Sequence, residues 1–306
     1  MVKKKRCSTY KQAPKIKKNR YSYVVNAAKN TKSKLENEFD GLFGHVATIK
    51  SGDVTIKNSE LDFTFTIPFD DDPEANEAEI DIYNLSQTTI AKLKKGNKIT
   101  IIAGYSNDTG IIFSGYISSR KTKRDGVDKI TTIHAIDSED RKEHKIKKIS
   151  FKKGTKASYI LKTLINKLGI PVAVFNIKKD KTYKDAVTVE GKLMENIKNY
   201  AILCGVSVYI NKGKLYCRSL KEGDNTKFTL SEATGLIDIE DYEEELSFDS
   251  VKQTVKGYKI TMLMQHRMTT AGIVTVNSQN INGKFRIRSG QHTYDTSNML
   301  TEITVY

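Results

Sequence analysis

The chain has 306 residues, 38% of them apolar and 28% charged, with no Trp and a formal net charge of +15. That length fits two or three domains better than one core, and the composition fits a folded protein on the polar side of the usual range. No apolar run approaches the ~20 residues of a membrane span, and the basic N-terminus lacks the apolar stretch of a secretory signal.

The charge is unevenly placed. Residues 1–34 hold twelve bases, among them Lys3, Lys4, Lys5, Arg6, Lys17, Lys18 and Arg20, and no acid. The remainder carries 39 bases against 36 acids, so the body is near neutral and the excess sits on an arm. Such a block repels itself and stays extended until a partner neutralises it. Two uses are open: phosphate contacts helped by Tyr10, Tyr21 and Tyr23, or docking on an acidic protein surface. Charged arms more commonly serve the second use.

The ordered region is expected from about Phe39. Leu61, Phe63, Phe65 and Ile67 alternate with polar residues, the period of a half-buried strand, with Pro68 and the acidic run after it as the stop. Ile80 and Ile82 mark a second strand. Ser86 is expected to N-cap a short turn through Thr89, Ile90 and Leu93, with Gly96 as its stop. Strands follow at about 98–104, 110–119 and 128–137. Five strands with short connections make a small antiparallel sandwich or barrel.

Between Arg141 and Lys156 eight bases accompany one acid. This reads as a connector pinned by Ile146, Ile149 and Phe151. Ala157, Ile160, Leu161, Leu164, Ile165 and Leu168 then form the stripe of an amphipathic helix, with Thr155 as cap and Gly169 and Pro171 as stop. A second helix carries Leu193, Ile197, Tyr200, Ala201 and Cys204 and ends at Gly205. A hairpin through residues 206–218 completes an α/β unit. The last third is β again: Tyr258, Ile260, Met262 and Met264 alternate, and 285–288, 292–294 and 300–305 read as a closing meander.

Catalytic chemistry finds no motif. None of the five histidines (45, 134, 144, 266, 292) sits in an H-E-x-x-H, and no cysteine pair has zinc spacing. No G-x-S-x-G, Walker loop or G-x-G-x-x-G occurs. Cys204 and Cys217 read as small buried hydrophobes, and the sparse cysteine usage points to a cytoplasmic folding compartment. The acids of 238–245 read as a solvated face rather than a glycosidase pair. The chain is expected to have no catalytic, cofactor-binding or metal residues and to be no enzyme. The acids of 238–249, with Glu243, Glu244 and Glu245 at their centre, are expected to face the basic connector, notably Lys147 and Lys148, within a chain or across a subunit seam.

Three strings carry a resemblance: Glu77-Ala-Glu-Ile-Asp-Ile-Tyr-Asn-Leu-Ser86, Gly96-Asn-Lys-Ile-Thr-Ile-Ile-Ala-Gly-Tyr105 and Gly110-Ile-Ile-Phe-Ser-Gly-Tyr-Ile117. Their order resembles the first barrel of baseplate hub proteins, the spike adaptors of phage tails, bacteriocin particles and related contractile machines. Gly205-Val-Ser-Val-Tyr209 and Gly213-Lys-Leu-Tyr-Cys217 resemble the end of that family's inserted module. The resemblance implies a mainly β, α+β chain: an arm (1–38), a first β-barrel or sandwich (39–140), a connector and α/β insertion (141–225) and a second barrel (226–306). It further implies a homotrimer, offering six similar barrels to a six-fold tail tube and three-fold contacts to a central spike. Other baseplate proteins and a tape measure protein are implied partners, on a virion tail assembled in the bacterial cytoplasm. The alternatives are a nucleic-acid-binding module using the arm and a tail-associated cell-wall hydrolase.

Overall fold

The computed structural model describes residues 44–306 except 73, 107, 138–144, 212–213 and 249–250. The basic arm lies outside the described residues.

The first β unit has seven strands, two more than expected. β1 (His45–Ser51) and β2 (Val54–Lys57) form a hairpin. Its inward positions include Ala47 and Ser51, so the alternation that marks a strand has little apolar contrast. β3 (Phe63–Asp70) buries Phe63, Phe65 and Ile67. It runs through Pro68 rather than stopping there, because β4 (Glu77–Tyr83) pairs only with Phe63–Thr66. Past that ladder β3 has a strand on one side only, where a missing N–H is tolerated.

Helix α1 (Gln87–Lys92) starts as expected, with the Ser86 hydroxyl accepting the Thr89 N–H at 3.1 Å. It ends at Leu93, and Gly96 falls in the turn beyond. The Arg120 guanidinium donates to the carbonyls of Ile90 and Leu93, closing the helix end from a distant strand. β5 (Lys98–Tyr105), β6 (Asp108–Asp125) and β7 (Asp128–Ile136) complete the unit.

The expected connector is itself a strand, β8 (Lys145–Phe151). Its Ile146, Ile149 and Phe151 pack into a second core, formed by α2 (Ala157–Lys167), β9 (Val172–Phe175), β10 (Val187–Lys192), α3 (Leu193–Cys204), β11 (Val206–Asn211) and β12 (Lys214–Ser219). Thr155 does not cap α2: its hydroxyl donates to the Lys152 carbonyl. Asp180, 22 residues on, accepts the Ser158 N–H at 3.0 Å instead.

A third core is built from β13 (Asp224–Leu230), β14 (Leu236–Phe248), β15 (Val251–Leu263), β16 (Gly272–Asn277), β17 (Asn282–Tyr294) and β18 (Met299–Val305). Segments expected separately at 285–288 and 292–294 are one 13-residue strand, β17.

The two β units share one sheet. Its order is β14-β15-β18-β17-β3-β4-β7-β6-β5-β1-β2, and the seam is the antiparallel ladder of β3 on β17, from Phe65 opposite Tyr294 to Asp70 opposite Ser289. The arrangement is therefore α+β and mainly β, with sandwich-like sheets rather than closed barrels. The α/β insertion keeps separate small sheets of two and three strands.

Candidate functional site

Two polar joints tie these pieces together. In the first, Asp71 lies at the end of β3 and Arg286 on β17, both almost wholly buried. The Arg286 guanidinium donates to the Asp71 carboxylate at 2.6 Å, to Ser207 Oγ of β11 at 2.8 Å, and to the Glu222 carbonyl at 2.9 Å. One side chain thus binds the first β unit, the insertion and the last β unit. Arg288 adds a bidentate contact to Glu244 at 2.8 Å, and Lys198 of α3 reaches Asp72 at 2.6 Å. A void of about 50 Å³ borders this joint. That is room for a few waters and too small for a sugar ring.

The second joint explains two of the motif strings. The hydroxyl of buried Tyr105, last residue of the A-G-Y string, donates to the Met299 carbonyl at 2.6 Å. Desolvation pushes its phenol up to about 12, so it stays protonated and donating. Asp108 accepts from Arg267 at 2.7 Å and Gln265 at 3.1 Å, and lies 3.2 Å from the His266 ring. The Arg267 bond holds the Asp108 carboxyl below the usual range. Gly110 is required because the His266 imidazole covers it: a Cβ there would lie 2.6 Å from the ring.

Burial also shifts several titratable groups outside the two joints. His292 is buried between Thr301 Oγ1 at 2.8 Å and the Met268 carbonyl at 3.2 Å, and desolvation drives it down to about 4. Burial pushes the thiols of Cys204 and Cys217 up to about 12, which leaves them unreactive at neutral pH. Desolvation, with Asp72, Asp71 and Asp137 nearby, raises Asp70 to about 6. Among the described residues no group of three or more His, Cys, Asp or Glu could hold a metal ion, and no helix is long and apolar enough to cross a membrane.

Of the sequence-predicted partner residues, Lys3, Lys4, Lys5, Arg6, Lys17, Lys18 and Arg20 lie outside the described residues. Lys147 and Lys148 are exposed on β8, and Glu243, Glu244 and Glu245 lie on β14. Glu243 meets Lys256 at 3.4 Å, across the β14–β15 ladder, and Glu244 meets Arg288. Among the described residues no ion pair joins Lys147 or Lys148 to Glu243 or Glu244. The joint residues Asp71 and Arg286 were not singled out by sequence reasoning, and Tyr105 only as the last residue of a motif string. An arginine inside an alternating strand, Phe285-Arg-Ile-Arg288, was the available signal for Arg286.

The comparisons with known proteins bear on the whole body. The family model "Baseplate hub gp41" matches residues 45–299. No curated protein sequence matches the chain. Among solved structures, the 43 kDa tail protein of prophage MuSo2 from Shewanella oneidensis superposes with a TM-score of 0.57 at 12% identity, covering 86% of this chain and 97% of that one. A tail protein from Neisseria meningitidis MC58 gives 0.55 at 11% identity, covering 86% and 96%. The E. coli c3393 protein, a component of the type VI secretion system described as similar to T4 tail proteins gp27 and gp5, gives 0.53 at 10%, covering 84% and 76%. At such identities the likeness is one of fold. The family match spans both β units and the insertion between them, and by it this chain belongs to the baseplate hub gp41 family, structural proteins of the tail.

Proposed function

We propose that the chain acts as a homotrimeric hub joining the tail tube to the central spike of a phage tail or phage-like contractile injection particle. The observation that carries this reading is the family match over residues 45–299. The physical support is the shared sheet: two β units locked by the β3–β17 ladder form a stiff block, which a part transmitting load between tube and spike requires. Three copies would present six β units to a six-fold tube and three insertions to neighbouring baseplate proteins. The tape measure protein would contact the same tip. Recognition would rest on shape, buried anchors and complementary charge, without bond-making chemistry. The division into arm (1–38), first β domain (39–140), insertion (141–225) and second β domain (226–306) belongs to the same proposal, as does assembly in the bacterial cytoplasm.

The test is genetic. Loss of the chain should leave free tubes without baseplates, and the wild-type chain supplied in trans should restore whole particles. Complete particles formed in its absence would contradict the reading. A second reading rests on the twelve bases of residues 1–34: nucleic-acid binding by the arm. It requires DNA affinity that falls steeply with salt and vanishes when the arm is removed.

A further inference from the structure

The near-neutral charge of the body hides a division. Residues 145–219, from β8 to β12, hold seventeen bases and four acids, whereas residues 35–144 and 220–306 together hold 22 bases and 32 acids. The insertion is thus strongly basic between two acidic stretches. Its single arginine, Arg218, is buried on Asp224, so its exposed positive charge is all lysine. Within it, the three-stranded sheet has the order β11-β12-β9, which leaves β9 at an edge. Val172 stands opposite Leu215 in a parallel ladder, and the Leu215 N–H donates to the Pro171 carbonyl at 2.9 Å. The N–H and C=O of Val172 itself therefore point away from β12, and among the described residues no strand pairs on that side. The edge is apolar, Val172-Ala-Val-Phe175, and Val172 is 41% exposed. Lys214 flanks its start, beside Leu215, and Lys178 and Lys179 follow its end.

We propose that β9 receives an extended acidic segment of a neighbouring protein as a fourth strand of this sheet. Main-chain pairing supplies the hydrogen bonds, apolar side chains of the segment cover Val172 and its neighbours, and its carboxylates meet the lysines at either end. Charge selects the occupant. Lys179 and Lys214 are exposed and have no ion pair among the described residues. The nearby acids are already engaged: Glu222 by Lys178 at 2.5 Å, and Asp180 by the Ser158 N–H and hydroxyl. A second copy of β9 would bring lysine against lysine. A nucleic acid would find no exposed guanidinium in the insertion to clamp its phosphates, and would leave the peptide groups of the edge unused. The edge and its charge belong to the insertion alone; only the choice of a baseplate neighbour as the source of the segment rests on the hub reading.

The probe is a fluorescein-labelled, end-capped octapeptide of alternating Val and Glu, titrated into the full chain and followed by anisotropy. Beside it run a Val–Lys peptide, a single-stranded oligothymidylate, and a Pro–Glu peptide of equal charge that lacks half the backbone donors. Hydrogen exchange maps where each one sits. The expected result is that the Val–Glu peptide binds and that it alone protects the Val172 amide. Lys179→Glu with Lys214→Glu, both at exposed positions, should weaken that contact about tenfold. No binding of the Val–Glu peptide, or protection only outside β9, would overturn the proposal. Equal protection by the Pro–Glu peptide would overturn strand addition in favour of charge alone, and protection of β9 by the oligothymidylate would reassign the edge to nucleic acid. Protection of Val172 in the free chain that rises with chain concentration would make the occupant a second copy and overturn it too. These readings come from the free chain, so failure here is separate from failure of the hub reading, which is scored in particles.

Discussion

The two polar joints use similar chemistry in different surroundings. At the first, Asp71 and Arg286 have side chains only 3% and 1% exposed; at the second, Asp108 and Arg267 are 39% and 37% exposed. Water screens the second pair, which contributes about 1 kcal/mol or less as an exposed ion pair does. At the first joint desolvation offsets much of the Coulombic gain, so the pair adds little net stability over an apolar substitute. Removing one partner is another matter, because Arg286 alone would be a buried charge without a counterion and Asp71 alone would keep only the longer contact to Arg288 at 3.7 Å. The buried joint is thus a device for register: it tolerates only the arrangement in which β3, β11 and β17 meet.

The largest effect is expected there. Arg286→Met should lower unfolding free energy by about 3 kcal/mol in urea, since Asp71 loses its shortest ion pair and keeps only Arg288, 3.7 Å away. Asp71→Asn in the same chain should recover much of that loss. Additive losses would show that the two side chains are not coupled.

Next comes Asp70, whose folded carboxyl keeps its proton up to about pH 6. An unfolded aspartate releases it near pH 4, so between these values the native state binds more protons and stability falls as pH rises. Asp70→Asn removes that dependence and keeps the acceptor for the Asp72 N–H, 3.0 Å away. The variant should match wild type below pH 4 and exceed it by about 1–3 kcal/mol above pH 6. A constant offset at all pH values would refute the assignment. Tyr105→Phe should then cost about 1 kcal/mol by removing one of the two hydrogen bonds to the Met299 carbonyl, which keeps the Met264 N–H at 3.0 Å, measured in the same denaturation series.

Smallest is the exposed charge on β14. Glu243→Lys should change stability by under about 1 kcal/mol. Its value would lie in assembly: combined with Glu245→Lys, and with Glu244 left in place on Arg288, it should impair particle incorporation. Reversing Lys147 and Lys148 should partly restore it if the two blocks meet across a subunit seam. Unrelieved, additive losses would mean that the two blocks do not meet.

Much of the fold was legible where periodicity and packing agree. The stripe of α2 and the alternation of β3 each bury the face their spacing indicates. The misses have a common cause, which is that partners distant in sequence decided the outcome. Pro68 continues its strand because β17 supplies a ladder 223 residues away. The start of α2 is capped by Asp180 rather than Thr155, and the end of α1 by Arg120 rather than Gly96. Gly110 and Tyr105 were legible as parts of a motif. Their physical reasons, a covering imidazole and a buried carbonyl, lie in residues 266 and 299. Local pattern does not encode such pairs.

The central claim is that this chain is the hub of a tail, and cryo-imaging of intact particles tests it most directly. The account predicts three copies on the axis, between the last ring of the tube and the spike, with both β units facing the tube. Six or twelve copies, or a position on the outer wedges of the baseplate, would contradict it.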